Sequence, residues 1–222
     1  MKKLFPIGLI FTLLFILVGC GTVSYSTEDF YYIVENGGLS LTECLIDDPV
    51  DVVIPEEEEN GKKVLSIDDM VFYEMTYLES VVIPDSVQVV GDSCFAYDTS
   101  LKSVTLSSSM YMISLRTFML CTGLEYIEIK EGTCKIEMHA FNKCSSLNTI
   151  ILPSTLKLID SSAFYGCKSL EYVFYNGSSE DWANVNVDSY YNSDLLDHVY
   201  YYSEEEAEGN YWHYADGVAV AW

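Results

Sequence analysis

Positive charge is what this 222-residue chain has least of: 11 Lys and Arg stand against 34 Asp and Glu, for a formal net charge of −23. Arg116 is its one arginine. A chain this anionic attracts neither nucleic acid nor an anionic membrane face by charge. Histidine is also scarce, and His139, His198 and His213 lie far apart. No H-E-x-x-H, no Ser-His-Asp order, no phosphate loop and no dinucleotide fingerprint occurs. Paired carboxylates such as Asp47-Asp48 and Asp68-Asp69 sit in turn-like segments, where Asp caps backbone groups. No catalytic constellation is left, so neither an enzymatic activity nor a cofactor is expected. There is no C-x-x-C, which removes the usual zinc site, and no metal ligand set is assigned. The acids cluster at 56–59 and at 204–206 with Glu208. They read as solvated loops, with weak calcium binding as the alternative; EF-hand spacing is missing.

Long apolar runs are missing too, except one. Leu4 to Val18 is a predominantly apolar run interrupted by Pro6 and Gly8, too short to span a bilayer comfortably. Lys2 and Lys3 precede it, and Leu17-Val18-Gly19-Cys20 follows the pattern of a bacterial lipobox. The thiol at Cys20 would take a thioether-linked diacylglycerol before cleavage between Gly19 and Cys20. The competing readings are an ordinary signal peptide or a short membrane anchor. The expectation is a leader over 1–19, lipidation at Cys20 and a short polar tether over 20–27. The membrane is then a partner through the lipid anchor alone, since two or three acyl chains hold stably where one does not. The protein would sit in the cell envelope, facing the exterior.

What is abundant is periodicity. Phe72, Phe95, Phe118, Phe141 and Phe164 recur every 23 residues, as do Leu78, Leu101, Leu124, Leu147 and Leu170. Ile67, Val90, Ile113, Ile136 and Ile159 keep the same interval, and so do Val81, Val104, Ile127, Ile150 and Val173. Apolar columns in fixed phase mean a stacked array in which each unit buries its face against its neighbours. After each column Leu the pattern alternates, as in Leu101, Val104 and Leu106, which predicts one short strand per unit. Proline ends the strand at Pro55, Pro84 and Pro153, where a ladder donor is no longer wanted. The Phe segment predicts a tight or 3₁₀ turn. Val52 and Ile54 fit one period plus six before Val81 and Ile83; Val199 and Tyr201 fit one period plus three after Val173 and Tyr175. The fold class is thus a β-rich solenoid of parallel strands, with seven rungs over 50–202.

The pattern I-x-x-x-A-F-x-x-C-x-x-L-x-x-I-x-I-P-x-S, carried by Ala163, Phe164, Cys167 and Leu170 and by the strand end Val82 to Val87, resembles the BspA-type (Treponema-type) leucine-rich repeats. The resemblance covers roughly 50–202 and implies a bacterial cell-surface protein of adhesion or recognition type, with no enzymatic residues. Met75 and Asp98 stand where the pattern has Cys, and Lys130-Glu131-Gly132 replaces Pro-x-Ser. The Cys column is therefore packing. Cys121, Cys144 and Cys167 stack with parallel side-chain vectors, which suits buried free thiols better than a disulfide.

Irregular ends flank the array. Residues 28–49 predict a capping hairpin turned at Gly37-Gly38, and 203–222 an acidic linker followed by an aromatic tail. That W-H-Y…W ending resembles those of related proteins, which implies a flap folded back on the array. Two functions stay open. One is a lipid-anchored surface protein that binds a protein or polysaccharide; the other is an envelope-spacing lipoprotein without a specific ligand. For the first, the candidate contact residues are the outward strand positions Thr105, Glu128 and Ile151, which share one column, with Val82 and Phe174 flanking; cover by neighbouring loops is the alternative.

Overall fold

The computed structural model describes residues 17–18, 22–58 and 61–222. Cys20 and nearly all of the expected leader lie outside them. Each repeat is a rung with three walls, and two of the walls are parallel β-ladders. The front ladder runs through Asp51–Val53, Ser80–Val82, Ser103–Thr105, Tyr126–Glu128, Thr149–Leu152, Tyr172–Tyr175 and Val199–Tyr202. These are the seven strands read from the sequence, and the register pairs Val52 with Val81, Ile127 with Ile150 and Val173 with Val199. The inserted residues at both ends therefore bulge out without shifting the ladder.

The second ladder was not anticipated. Val64–Ile67, Val89–Val90, Met112–Ile113, Lys135–Ile136, Leu158–Ile159 and Asn186–Val187 form a back wall of parallel strands. Most are two residues long, too short for an alternating pattern to register. Both ladders skip one pairing in mid-array: Val89–Val90 does not pair with Met112–Ile113, nor Ser103–Thr105 with Tyr126–Glu128. At the back gap the Ser114 hydroxyl donates to the Val90 carbonyl. Elsewhere in that column backbone amides do this, as Gly91 N does to Ile67 O and Glu137 N to Ile113 O.

The Phe turns make the third wall, which continues without a gap. The amides of Phe72, Phe95, Phe118 and Phe141 donate to Cys94, Thr117, Ala140 and Ala163 carbonyls of the next rung at 2.8–3.0 Å. Intervening amides bond back within their own turn, as Tyr73 N does to Met70 O. This alternation requires left-handed backbone on both sides of each Phe: Met70, Ser93, Arg116, His139 and Ser162 before it, and Glu74, Tyr97, Leu120, Lys143 and Gly166 after it, all have positive φ. The turn is thus a pair of overlapping β-turns stacked edge to edge, the tight-turn form of the tight or 3₁₀ turn expected from the sequence.

Between the walls the five rings form one file, stacked at 5.1, 5.5, 5.3 and 5.2 Å with interplanar angles of 4–14°. All five are fully buried. Each buried ring contributes about 1.5–3 kcal/mol from area alone, and stacked pairs add about 0.5–1.5 kcal/mol. Beside them Cys121, Cys144 and Cys167 donate to the carbonyls of Phe95, Phe118 and Phe141 at 3.0–3.1 Å. Each thiol thus ties its turn to the rung before. No cysteine among the described residues is disulfide-bonded.

Both open ends of the stack are closed. Phe30–Glu35 and Gly38–Cys44 form the amino-terminal hairpin, and Gly38–Cys44 pairs in parallel with Val64–Ile67. Its turn is Asn36-Gly37, with φ of 51° and 84°, and not Gly37-Gly38. Two left-handed residues make the primed turn that matches strand twist, so Gly38 is left to begin the next strand. The expected tether is also different. Thr22–Ser26 is a strand antiparallel to Phe30–Glu35, and Leu17–Val18 pairs with it in turn. A bare hairpin edge offers unpaired backbone groups that the chain entering it satisfies. At the other end Ser178 caps the short helix Ser179–Trp182 through a reciprocal bond with Asp181, and Trp182 meets Tyr175 edge-on at 5.0 Å.

Candidate functional site

Outward positions on the front ladder form two parallel columns. One holds Asp51, Ser80, Ser103, Tyr126, Thr149 and Tyr172; the other holds Val53, Val82, Thr105, Glu128, Ile151, Phe174 and Tyr200, aligned by the parallel register on either side of the gap after Ser103–Thr105. Inward neighbours such as Val81, Ile127 and Ile150 are buried, which fixes the alternation. Apart from Asp51 the amino-terminal half of this face is small and aliphatic; aromatic residues concentrate in the carboxy-terminal half.

The five contact candidates do not share one environment. Val82 is 38 % exposed, Thr105 is exposed and Glu128 is half-buried. Ile151 and Phe174 are each only 3 % exposed, because the tail covers them. Tyr211–Ala215 pairs in parallel with Val199–Tyr202, and Val218–Ala221 pairs antiparallel with Tyr211–Ala215, so the last strands curl over the face. Trp212 is buried, stacks on Phe174 at 5.1 Å, and donates its indole N–H to the Tyr175 carbonyl at 2.8 Å. Ala219 and Ala221 complete this small second core. The apolar pair Ile151 and Phe174 is thus occupied from within the chain.

Sequence reasoning passed over several residues on the free part of the face. Val53 is the most exposed of them, at 68 %, and its place 29 residues before Val82 was the available signal. Tyr126 and Tyr214 are both more than two-fifths exposed. They flank a cleft of about 870 Å³ between the ladder and the edge strand Val218–Ala221, with Glu128, Asn148, Thr149 and Tyr172 along its floor. That size is within the range of ligand clefts. No local sequence pattern announces it, since its two sides are some 90 residues apart in the chain.

The cleft is electronegative. Glu128 makes an ion pair with Lys130 at 2.9 Å. Burial, reinforced by Glu128, pushes the Tyr126 phenol up to about 12. Burial also raises the Tyr214 phenol, with Glu128 and then Glu131 adding to it. The histidines lie apart from the cleft lining: His139 meets Asn142 Nδ2 at 3.2 Å, His198 lies 3.0 Å from the Asp194 carbonyl, and His213 stacks on Trp222 at 3.7 Å. Among the described residues no three or more His, Cys, Asp and Glu side chains converge on a metal position, and no helix is long and apolar enough to cross a membrane.

The model of the BspA type leucine rich repeat region matches residues 63–197 in six copies. A leucine rich cell surface protein from Faecalibacterium prausnitzii is 28 % identical over 76 % of this chain, with a TM-score of 0.64; the chain spans 41 % of that protein's length. The T. pallidum leucine rich repeat protein is also 28 % identical with a TM-score of 0.64, over 67 % of this chain and 70 % of its own. A leucine-rich repeat protein from Eubacterium ventriosum shares the fold at 22 % identity and a TM-score of 0.51, over 63 % of this chain and 44 % of its own. No curated protein matches the chain.

Proposed function

We propose that this chain, which belongs to the BspA-type leucine-rich repeat family, is a lipid-anchored recognition protein of the bacterial cell surface that holds a protein or glycan partner on the outer face of its front ladder. One observation carries the reading. Val53, Val82, Thr105 and Tyr126 stand in the open on a wall fixed by two ladders and a stacked core, whereas the apolar positions further along the same wall are covered by the chain's own tail. An uncovered, partly apolar strip on a rigid scaffold marks an interaction surface. The likeness to a cell surface protein supports the location. Lipidation of Cys20 would supply the anchor, and the solenoid would project the face away from the membrane.

The test is a protein and glycan array probed with wild-type protein and with a Val82→Asp, Thr105→Lys double variant. Both substitutions are at outward positions and leave the core alone, so thermal stability should hold while the captured partner is lost. A partner retained at full signal removes this face from consideration. Replacing Ile151 or Phe174 would not serve, because either change disrupts the packing of Trp212. For the anchor, labelled palmitate should enter the wild-type protein and not Cys20→Ala; equal processing and release of both forms would end the lipid claim.

A further inference from the structure

We propose that the strand Val218–Ala221 is a docking edge for an extended, lysine- or arginine-bearing peptide segment, which adds a third strand to the terminal hairpin and lies across the open half of the front face. This rests on the recognition reading above and names the partner class.

The backbone supplies the first argument. Trp222 N donates to Tyr211 O at 2.9 Å, so Tyr211 and Trp222 are a hydrogen-bonded pair. In the register that pairs Trp212 with Ala221 and Tyr214 with Ala219, the bonded pairs alternate. His213 with Val220 and Ala215 with Val218 are therefore bonded, whereas the N–H and C=O groups of Ala219 and Ala221 point away from the hairpin. They lie on the side that lines the cleft. The same alternation sends Trp212 O the other way, where it accepts from Ser203 N at 2.9 Å.

Proteins usually blunt such an edge with lysine, proline, a bulge or a covering loop. Val-Ala-Val-Ala carries none of these. The side chains along this edge are small or aliphatic: Ala219 and Ala221 pack toward the ladder, and the exposed Val218 and Val220 also border the cleft. A strand added here would sit above Tyr126 and Glu128, filling the cleft.

Charge selects the occupant. Tyr126 and Tyr214 present phenol rings to the space, with the Glu128 carboxylate among the residues that line it. A Lys or Arg side chain lowered beside these rings gains cation–π contacts and competes with or joins Lys130 at the Glu128 carboxylate. An acidic segment would meet a chain of net charge −23. Strand addition supplies affinity through main-chain bonds and specificity through alternate side chains.

The probe is a blocked heptapeptide of alternating Val and Lys, titrated into the purified protein by fluorescence anisotropy. It should bind, and bind about tenfold tighter than its Val/Glu counterpart, with affinity falling as salt rises. Ala219→Pro removes one outward N–H and suits an edge strand; it should weaken binding about tenfold with no loss of thermal stability. Should that variant destabilise the fold, N-methylation of alternate peptide amides makes the same test on unaltered protein. Glu128→Gln should narrow the preference of Lys over Glu. Undiminished binding by Ala219→Pro and by the N-methylated peptide overturns the proposal. So does equal affinity for the Val/Glu peptide, binding of a neutral hexasaccharide in place of the peptide, or an Ala219→Pro effect confined to self-association in sedimentation. An array partner lost with the Val82→Asp, Thr105→Lys protein yet kept by Ala219→Pro would leave the broader reading standing without this one; a partner kept by both would end both.

Discussion

The side-chain oxygen of Asn192 accepts the amide hydrogen of Phe164 at 3.0 Å, in the place where each earlier Phe in the file uses a backbone carbonyl. Asn192 is fully buried, and its Nδ2 donates to the carbonyls of Asp160 and Asp188 at 2.9 and 2.7 Å. One side chain thus imitates the missing next rung and ends the turn wall with its polar groups satisfied. Asn192→Ala should cost about 2–4 kcal/mol, since it strips partners from buried backbone groups. Asn192→Asp should rescue little, because a carboxylate cannot donate to the two carbonyls. Urea midpoints measured by circular dichroism check both; an alanine variant within 0.5 kcal/mol of wild type would contradict the capping role.

Asp98 sits in the thiol column and is fully buried. Its Oδ1 accepts from Met75 N at 2.7 Å, while Oδ2 has no hydrogen-bond partner. Burial pushes the carboxyl up to about 9, against the bond from Met75, which pulls it down. The folded state therefore holds a proton that the unfolded chain releases near pH 4. The contribution of this group is fully present below that value and is lost as pH rises toward 9, by up to about 1.4 kcal/mol per unit. Asp98→Cys, the residue found elsewhere in the column, should remove this slope and gain stability at pH 8 over pH 5 relative to wild type. Parallel stability profiles of the two proteins would sink the assignment.

Phe118 is the middle ring of the file. Phe118→Ala should cost about 3–5 kcal/mol by cavity formation. In a stacked array, where each rung touches only its neighbours, it should also uncouple the halves, giving two unfolding transitions where wild type has one. Scanning calorimetry distinguishes this; one undisplaced transition would show that the ring carries little of the coupling.

Gly91 is set by close approach of backbone. A Cβ there would stand 2.5 Å from the carbonyl carbon of Asp68 and from Asp69 N, on the rung before. Gly91→Ala should therefore lose about 1–3 kcal/mol, read as a lowered melting temperature, because backbone cannot give way as a side chain can. An unchanged melting temperature would mean that the rungs separate freely at this corner.

The solenoid was legible because its determinants are columnar. Phe72 to Phe164 at one interval fix the stack, and the alternation at Val104 or Ile127 fixes which way the strand faces. The back wall was not legible, since two residues such as Met112–Ile113 carry no period. Nor were the left-handed turn positions: Arg116, His139 and Lys143 are not residues whose chemistry announces positive φ, and only Gly166 gave a hint. There the stacked hydrogen bonds override local preference. The candidate face was half legible. Its columns follow from strand alternation, but whether Phe174 faces solvent or Trp212 depends on where the tail returns, and that is a tertiary fact.

Hydrogen exchange with bound partner tests the recognition face most directly. Whatever protein or glycan the array captures should slow exchange on Ser80–Val82, Ser103–Thr105 and Tyr126–Glu128, and leave the turn wall around Tyr97, Leu120 and Lys143 unaltered. Protection confined to the turn wall or to the back ladder would contradict the account.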